Sequence, residues 1–151
     1  MKWLKRIAIL LVVILVGVQF IPTDVNQQEE IPKTDIRHVY DVPDNVMNIL
    51  QISCYDCHSN NTNYPWYSHV QPMRFLMDRD IREGKEELNF SEFGSYSQRK
   101  QKNKLDRISK QVKADKMPLP SYLLLHSNAK LSADDKQEII NWVETRLKQN
   151  E

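Results

Sequence analysis

The chain has 151 residues, enough for one domain, and 21 lysines and arginines against 20 aspartates and glutamates leave a formal net charge of +1. That balance excludes the broadly basic surface on which nucleic-acid binding rests. Three glycines are too few for a turn-rich β domain or a phosphate-cradling loop, so the composition favours helices.

At the N-terminus, Lys2, Lys5 and Arg6 precede an apolar run from Ile7 to Val18, which Phe20 and Ile21 extend. A basic flank followed by an apolar run is the pattern of an export signal. The run closes on Gly17-Val18-Gln19-Phe20-Ile21-Pro22, without small residues at the spacing a cleavage site needs. As a helix, Trp3 to Ile21 spans roughly 28 Å, just enough for a hydrocarbon core. Residues 1–21 are therefore expected to be a retained signal-anchor, with a cleaved signal peptide and release to the periplasm as the alternative. The charge distribution places the N-terminus in the cytoplasm and the domain on the periplasmic, extracytoplasmic side. Residues 22–41, rich in proline and polar side chains, read as a polar linker. Residues 42–151 are expected to form the domain.

"PDNVMNILQISCYDCH" opens with helix-initiating residues and carries Val46, Ile49, Leu50 and Ile52 towards the two cysteines of the chain. Three readings of Cys54-x-x-Cys57-His58 compete. A thioredoxin-like redox pair expects a βαβ setting, and a structural zinc site wants four ligands. His38, His69 and His126 are scattered singly, which disfavours zinc. The third reading is covalent haem attachment, for which Cys-x-x-Cys-His is the sequence mark. Two thiols on one helical turn reach the two vinyl groups on one porphyrin edge, and the next imidazole offers a nitrogen to iron. Cys54 and Cys57 are thus expected to hold one haem c covalently, with His58 as its proximal iron ligand.

Beyond the motif, Tyr64, Trp66 and Tyr67 are candidates to pack a haem pocket or an ordinary core. Met73, Met77 and Ile81 make a helical apolar stripe, and Ser91 is placed to cap a turn. "SYSQRKQKNKLDRISKQVKADK" reads as a helix with Leu105, Ile108 and Val112 as a narrow buried stripe. From Arg99 to Lys116 it carries eight lysines and arginines, either a solvated face or a docking surface for an acidic redox partner. In "KADKMPLPSY", Pro118 and Pro120 interrupt helix and fix the backbone around Met117. Met117 is expected to be the distal iron ligand, with His126 and His69 as alternatives. The terminal "LSADDKQEIINWVETRLKQ" has Ser132 as N-cap, Asp135 three residues on, and an apolar face of Ile139, Ile140, Trp142, Val143 and Leu147.

"CYDCHSNNTNYPWYSHVQP", "EGKEELNFSEF" and "KMPLPSYLLLH" followed by "LSADDKQEIINWV" resemble the haem-binding domain family of exported bacterial proteins. The resemblance runs from about Ile36 to Leu147. It implies an all-α, small cytochrome c-like domain around one covalent haem, attached at Cys54 and Cys57 and ligated by His58. The expected function is electron transfer by a mono-haem c-type protein on the outer face of the cytoplasmic membrane, with an unidentified redox partner and no nucleic acid. The alternative is a haem peroxidase-like or accessory enzyme, or a haem-based sensor, with an exchangeable sixth ligand.

Overall fold

The computed structural model describes residues 1–149. Eight helices follow in order: α1 Lys2–Val18, α2 Ile36–Val39, α3 Asp44–Ser53, α4 Tyr55–His58, α5 Met73–Glu87, α6 Gln98–Lys113, α7 Pro120–Leu123 and α8 Ala133–Gln149. Short 3-10 turns stand between them at Trp66–His69, Phe90–Ser95 and Ser127–Ala129. Among the described residues, β pairing is confined to one isolated antiparallel bridge between Gln27 and Asn61. The architecture is all-α, as the composition predicts.

The core forms where amphipathic stripes meet. Leu105, Ile108 and Val112 recur at helical spacing on α6 and face Ile139, Ile140 and Val143 of α8. Val46 and Leu50 of α3 join the same cluster, with Phe90 and Phe93 from the 3-10 turn. Burial of each such aliphatic side chain stabilises the fold by roughly 1.5–3 kcal/mol. Helix α8 starts with a reciprocal cap: Asp135 N–H donates to Ser132 Oγ at 3.0 Å, and Ser132 N–H donates to Asp135 Oδ2 at 2.8 Å. Ser97 caps α6 by accepting from Lys100 N–H. The turn expected to be capped by Ser91 is instead capped by Asn89, whose side-chain oxygen accepts from Ser91 N–H at 3.1 Å. The Ser91 hydroxyl accepts from Asn60 N–H at 3.0 Å.

Of the stripe Met73, Met77 and Ile81, only Ile81 is buried; the two methionines are half-buried. The basic face of α6 is partly neutralised. Arg107 pairs with Glu87 at 2.8 Å, Lys110 with Asp106 at 2.6 Å and Lys113 with Glu144 at 2.8 Å, while Lys104 donates to the Glu87 carbonyl. Arg107 and Lys104 tie α6 to the end of α5 and Lys113 ties it to α8, while the Lys110–Asp106 pair lies within α6.

Two N-terminal expectations need correction. Helix α1 ends at Val18, not Ile21, which gives about 26 Å of helix. Among the described residues no helix is long and apolar enough to cross a membrane. Residues 24–41 are not a free spacer. Asn26 Nδ2 donates to the Ser59 carbonyl and to Thr62 Oγ1, each at 2.9 Å, and Thr62 N–H donates to the Asn26 carbonyl at 2.8 Å. Lys85 Nζ reaches Asn26 Oδ1 at 2.6 Å, and Arg74 donates to the Asp24 carbonyl. Further on, Asp35 is buried, where it caps α2 and accepts from Arg37 Nε at 2.9 Å and the Tyr55 hydroxyl at 3.1 Å. Ile36 is fully buried in the core. A polar composition suggests solvation, yet here polar side chains such as Asn26 satisfy backbone groups of the segment they cover.

Candidate functional site

Cys54 ends α3 and opens α4 with φ −132°. The helix expected to lead into the motif thus ends at its first cysteine, and the motif forms a short helical turn of its own. The backbone N–H groups of Cys57 and His58 both return to the Cys54 carbonyl, at 3.2 and 2.9 Å, so Cys54, Cys57 and His58 leave one tight turn. Both cysteines are half-buried free thiols. Burial pushes the Cys54 thiol up to about 12, with the neighbouring Cys57 adding to the shift. Burial also pushes Cys57 up to about 12, with Asp56 and Asp80 adding to it. Reactive redox pairs need the opposite, a depressed value that yields thiolate at neutral pH. The pair therefore lacks the depressed value of a reactive redox couple.

His58 is held from the far side of its ring. Its Nδ1 lies 2.9 Å from the Gly84 carbonyl and 3.0 Å from the Leu88 carbonyl. Carbonyls only accept, so this hydrogen bonding assigns the proton to Nδ1 and leaves the Nε2 lone pair unprotonated. Burial lowers the His58 pKa, although the two carbonyls oppose that effect. The Leu88 carbonyl is available because α5 stops at Glu87, where the last helical carbonyls lose their intrahelical partners. Phe90 stands edge-on to the imidazole at 6.3 Å and 72°, and stacks on Tyr55 at 5.1 Å and 8°. The ring is fixed in direction and tautomer, with one nitrogen to offer.

The close packing behind His58 depends on Gly84. A Cβ at this position would lie 2.6 Å from the Cys57 carbonyl oxygen and 3.2 Å from Cys57 Cβ. Only a residue without a side chain lets α5 approach the motif so closely.

Across from α5, the chain beyond Met117 folds back onto the motif. Tyr122 Oη donates to Asp56 Oδ2 at 2.7 Å. His126 stacks on the Tyr122 ring at 3.9 Å and 12°, and its Nδ1 lies 3.1 Å from the Tyr122 carbonyl. Its Nε2 lies 2.9 Å from the Tyr67 hydroxyl. Burial, then the nearby Asp56 and Cys57, raise the Tyr67 pKa. Trp66 meets Tyr67 edge-on at 5.8 Å and is itself exposed, as are Leu124 and Leu125 next to His126.

The predicted residues thus occupy different places. Cys54, Cys57 and His58 share one turn, and His126 stacks on Tyr122, the residue bonded to Asp56, with both ring nitrogens engaged. Met117 is half-buried in the irregular stretch between α6 and α7, five residues before Tyr122. His69 and His38 are exposed. Gly84, the Leu88 carbonyl, Asp56 and Tyr122 had not been singled out. Backbone carbonyls carry no side-chain signature, and a helical glycine declares itself only through what it touches. The tyrosine in "MPLPSY" was the one available signal.

This donor set fits a porphyrin. A neutral imidazole presents a free Nε2, two reduced thiols flank it, and uncovered apolar side chains stand beside the motif. Among the described residues no group of three or more His, Cys, Asp or Glu could hold a metal ion unaided, as a structural zinc site would. A family model described as a haem-binding domain matches residues 13–145. No curated protein and no solved structure matches the chain.

Proposed function

The chain belongs to the haem-binding domain family, and from that premise we propose that it is a mono-haem c-type electron carrier with the haem linked to Cys54 and Cys57. The observation that carries this reading is the His58 imidazole, whose Nδ1 is engaged by the Gly84 and Leu88 carbonyls at 2.9 and 3.0 Å. Those bonds orient the ring, select the tautomer with a free Nε2 and raise its basicity, which is what an axial iron ligand requires. When bound, haem iron supplies reversible one-electron exchange.

The chain's own residues do the rest. Cys54 and Cys57 hold the porphyrin by thioether links and prevent its loss. Phe90 and Tyr55 wall the His58 side and exclude water. Met117 serves as the sixth ligand. His126 is less suited, because its nitrogens already face the Tyr122 carbonyl and the Tyr67 hydroxyl, and His69 is exposed.

We place the domain on the extracytoplasmic side of the cytoplasmic membrane. Support comes from α1, which has no buried residue and exposes Ile7 to Val16 behind Lys2, Lys5 and Arg6. Such a helix needs an apolar phase to cover it. The partner is a redox protein.

The test is to purify the chain from a host with haem-attachment machinery, then record its mass and its reduced and oxidised spectra. The expected result is the mass of polypeptide plus one haem, with a low-spin spectrum whose methionine–iron charge-transfer band is lost in Met117→Ala. A polypeptide-only mass without Soret absorbance would overturn the reading. A high-spin spectrum indifferent to Met117→Ala would assign the sixth position to the enzyme or sensor role.

A further inference from the structure

We infer that Tyr122 is a positioning residue: its hydroxyl, bonded to Asp56, holds the Met117 segment closed over the motif turn and so limits the access of outside ligands to the haem. The inference rests on haem lying at His58, but does not require Met117 to be the sixth ligand.

Residues 114–119 run irregularly between α6 and α7, and the chain is next firmly buried at Ala129. Along this stretch the backbone bonds stay local. Lys116 N–H returns to the Gln111 carbonyl at 3.0 Å and Leu123 N–H to the Leu119 carbonyl at 3.1 Å. Pro118 and Pro120 have no N–H to give. Two side-chain contacts tie the stretch across to the rest of the site. One is Tyr122 to Asp56 at 2.7 Å, spanning 66 residues of sequence, and the other is Tyr67 with His126 at 2.9 Å, spanning 59.

Of these, the bond to Asp56 is the one anchored on the motif turn itself. Asp56 stands between Cys54 and Cys57, and its other carboxylate oxygen accepts from Asn63 N–H at 3.0 Å, so the acceptor cannot swivel away. The Tyr122 ring lies flat on His126, so the direction of the hydroxyl is set as well. A hydrogen bond to a carboxylate, fixed at both ends, is among the stronger uncovalent ties a loop can have. Without it, the long-range polar ties of this stretch among the described residues are the Tyr67–His126 contact and, at its start, the ion pair of Asp115 with Lys136 of α8.

Tyr122→Phe tests this in the full, haem-loaded chain, because it removes the hydroxyl and keeps the ring on His126. Imidazole is titrated into the ferric protein and followed by its spectrum, and amide exchange is measured across residues 116–126. The expected result is about tenfold tighter apparent imidazole binding and exchange faster by a similar factor. Asp56→Asn, which weakens the same bond from the acceptor side, should move both readouts in the same direction. Ile139→Val, a core change in α8, is the control for general loosening. If both readouts for Tyr122→Phe stay within about twofold of the parent, or if Ile139→Val shifts imidazole binding equally, the inference fails. Met117→Ala reports separately on the sixth ligand. Loss of its charge-transfer band with unchanged Tyr122→Phe sinks only the latch, whereas an unaffected band with faster Tyr122→Phe exchange sinks only the ligand assignment.

Discussion

Gly84→Ala should destabilise the domain, against the usual preference of helices for alanine. In an open helix this substitution gains about 1 kcal/mol. Here the added methyl would meet the Cys57 carbonyl oxygen at 2.6 Å, whereas an ordinary contact needs roughly 3.4 Å or more. Helix α5 would have to withdraw by about 0.8 Å from a backbone that cannot rotate out of the way, and overpacking of this kind costs about 1–3 kcal/mol. The same withdrawal stretches the bonds from His58 Nδ1 to the Gly84 and Leu88 carbonyls, at roughly 0.5–1.5 kcal/mol each. Taken together, a net loss of about 1–5 kcal/mol is expected after the gain in propensity is credited. Urea unfolding of the haem-loaded parent and variant measures it, and the absorption spectrum reports whether His58 has turned. A variant as stable as the parent or more so, with an unchanged spectrum, would refute the claim that α5 is held against the motif by the lack of a side chain.

Phe90→Ala removes a ring that is 1% exposed and touches both Tyr55 and His58; a loss of about 3–5 kcal/mol is expected by denaturant unfolding. Asn26→Ala breaks the contacts to Ser59, Thr62 and Lys85, costs about 1–3 kcal/mol, and should speed proteolytic cleavage between residues 22 and 35. Ser132→Ala should lower stability by about 1 kcal/mol through loss of the α8 cap. It should also alter the acid limb of the pH profile. The Ser132 hydroxyl and N–H hold the Asp135 carboxyl below its ordinary value, so this contribution is present above the unfolded pKa and disappears as pH falls through the lower folded one. The difference in melting between parent and variant should therefore shrink toward acid pH without vanishing, because the Asp135 N–H to Ser132 Oγ bond does not titrate.

Sequence reading worked best where side chains carry the information. The stripe Leu105, Ile108, Val112 and the facing Ile139, Ile140, Val143 announce α6 and α8, because burial selects apolar residues at helical spacing. The Ser132–Asp135 pair marks the start of α8 for the same reason: its hydrogen bonds use side-chain atoms. Reading failed where backbone atoms do the work. Nothing in the identity of Leu88 declares that its carbonyl faces an imidazole. Nothing in "PTDVNQQEE" says that Asn26 will pair with Ser59 and Thr62 and not with water. The family match starts at residue 13, well before Ile36, and residues 24–36, which it includes, dock on the domain. The cap at Asn89 was missed because asparagine and serine compete for the same role two positions apart.

The junction between α1 and the domain has a mechanical consequence. Gln71 N–H donates to Gln19 Oε1 at 2.9 Å, and Gln19 Nε2 reaches back to the Gln71 carbonyl at 3.3 Å. With Asn26 pinned a few residues later, no length of slack chain separates the first helix from the body. A domain on a floppy string sweeps a hemisphere; one tied at its base keeps a narrower range of height and heading. On the carrier reading proposed above, a redox partner would have to present its contact face at that elevation, and geometry more than reach would select it.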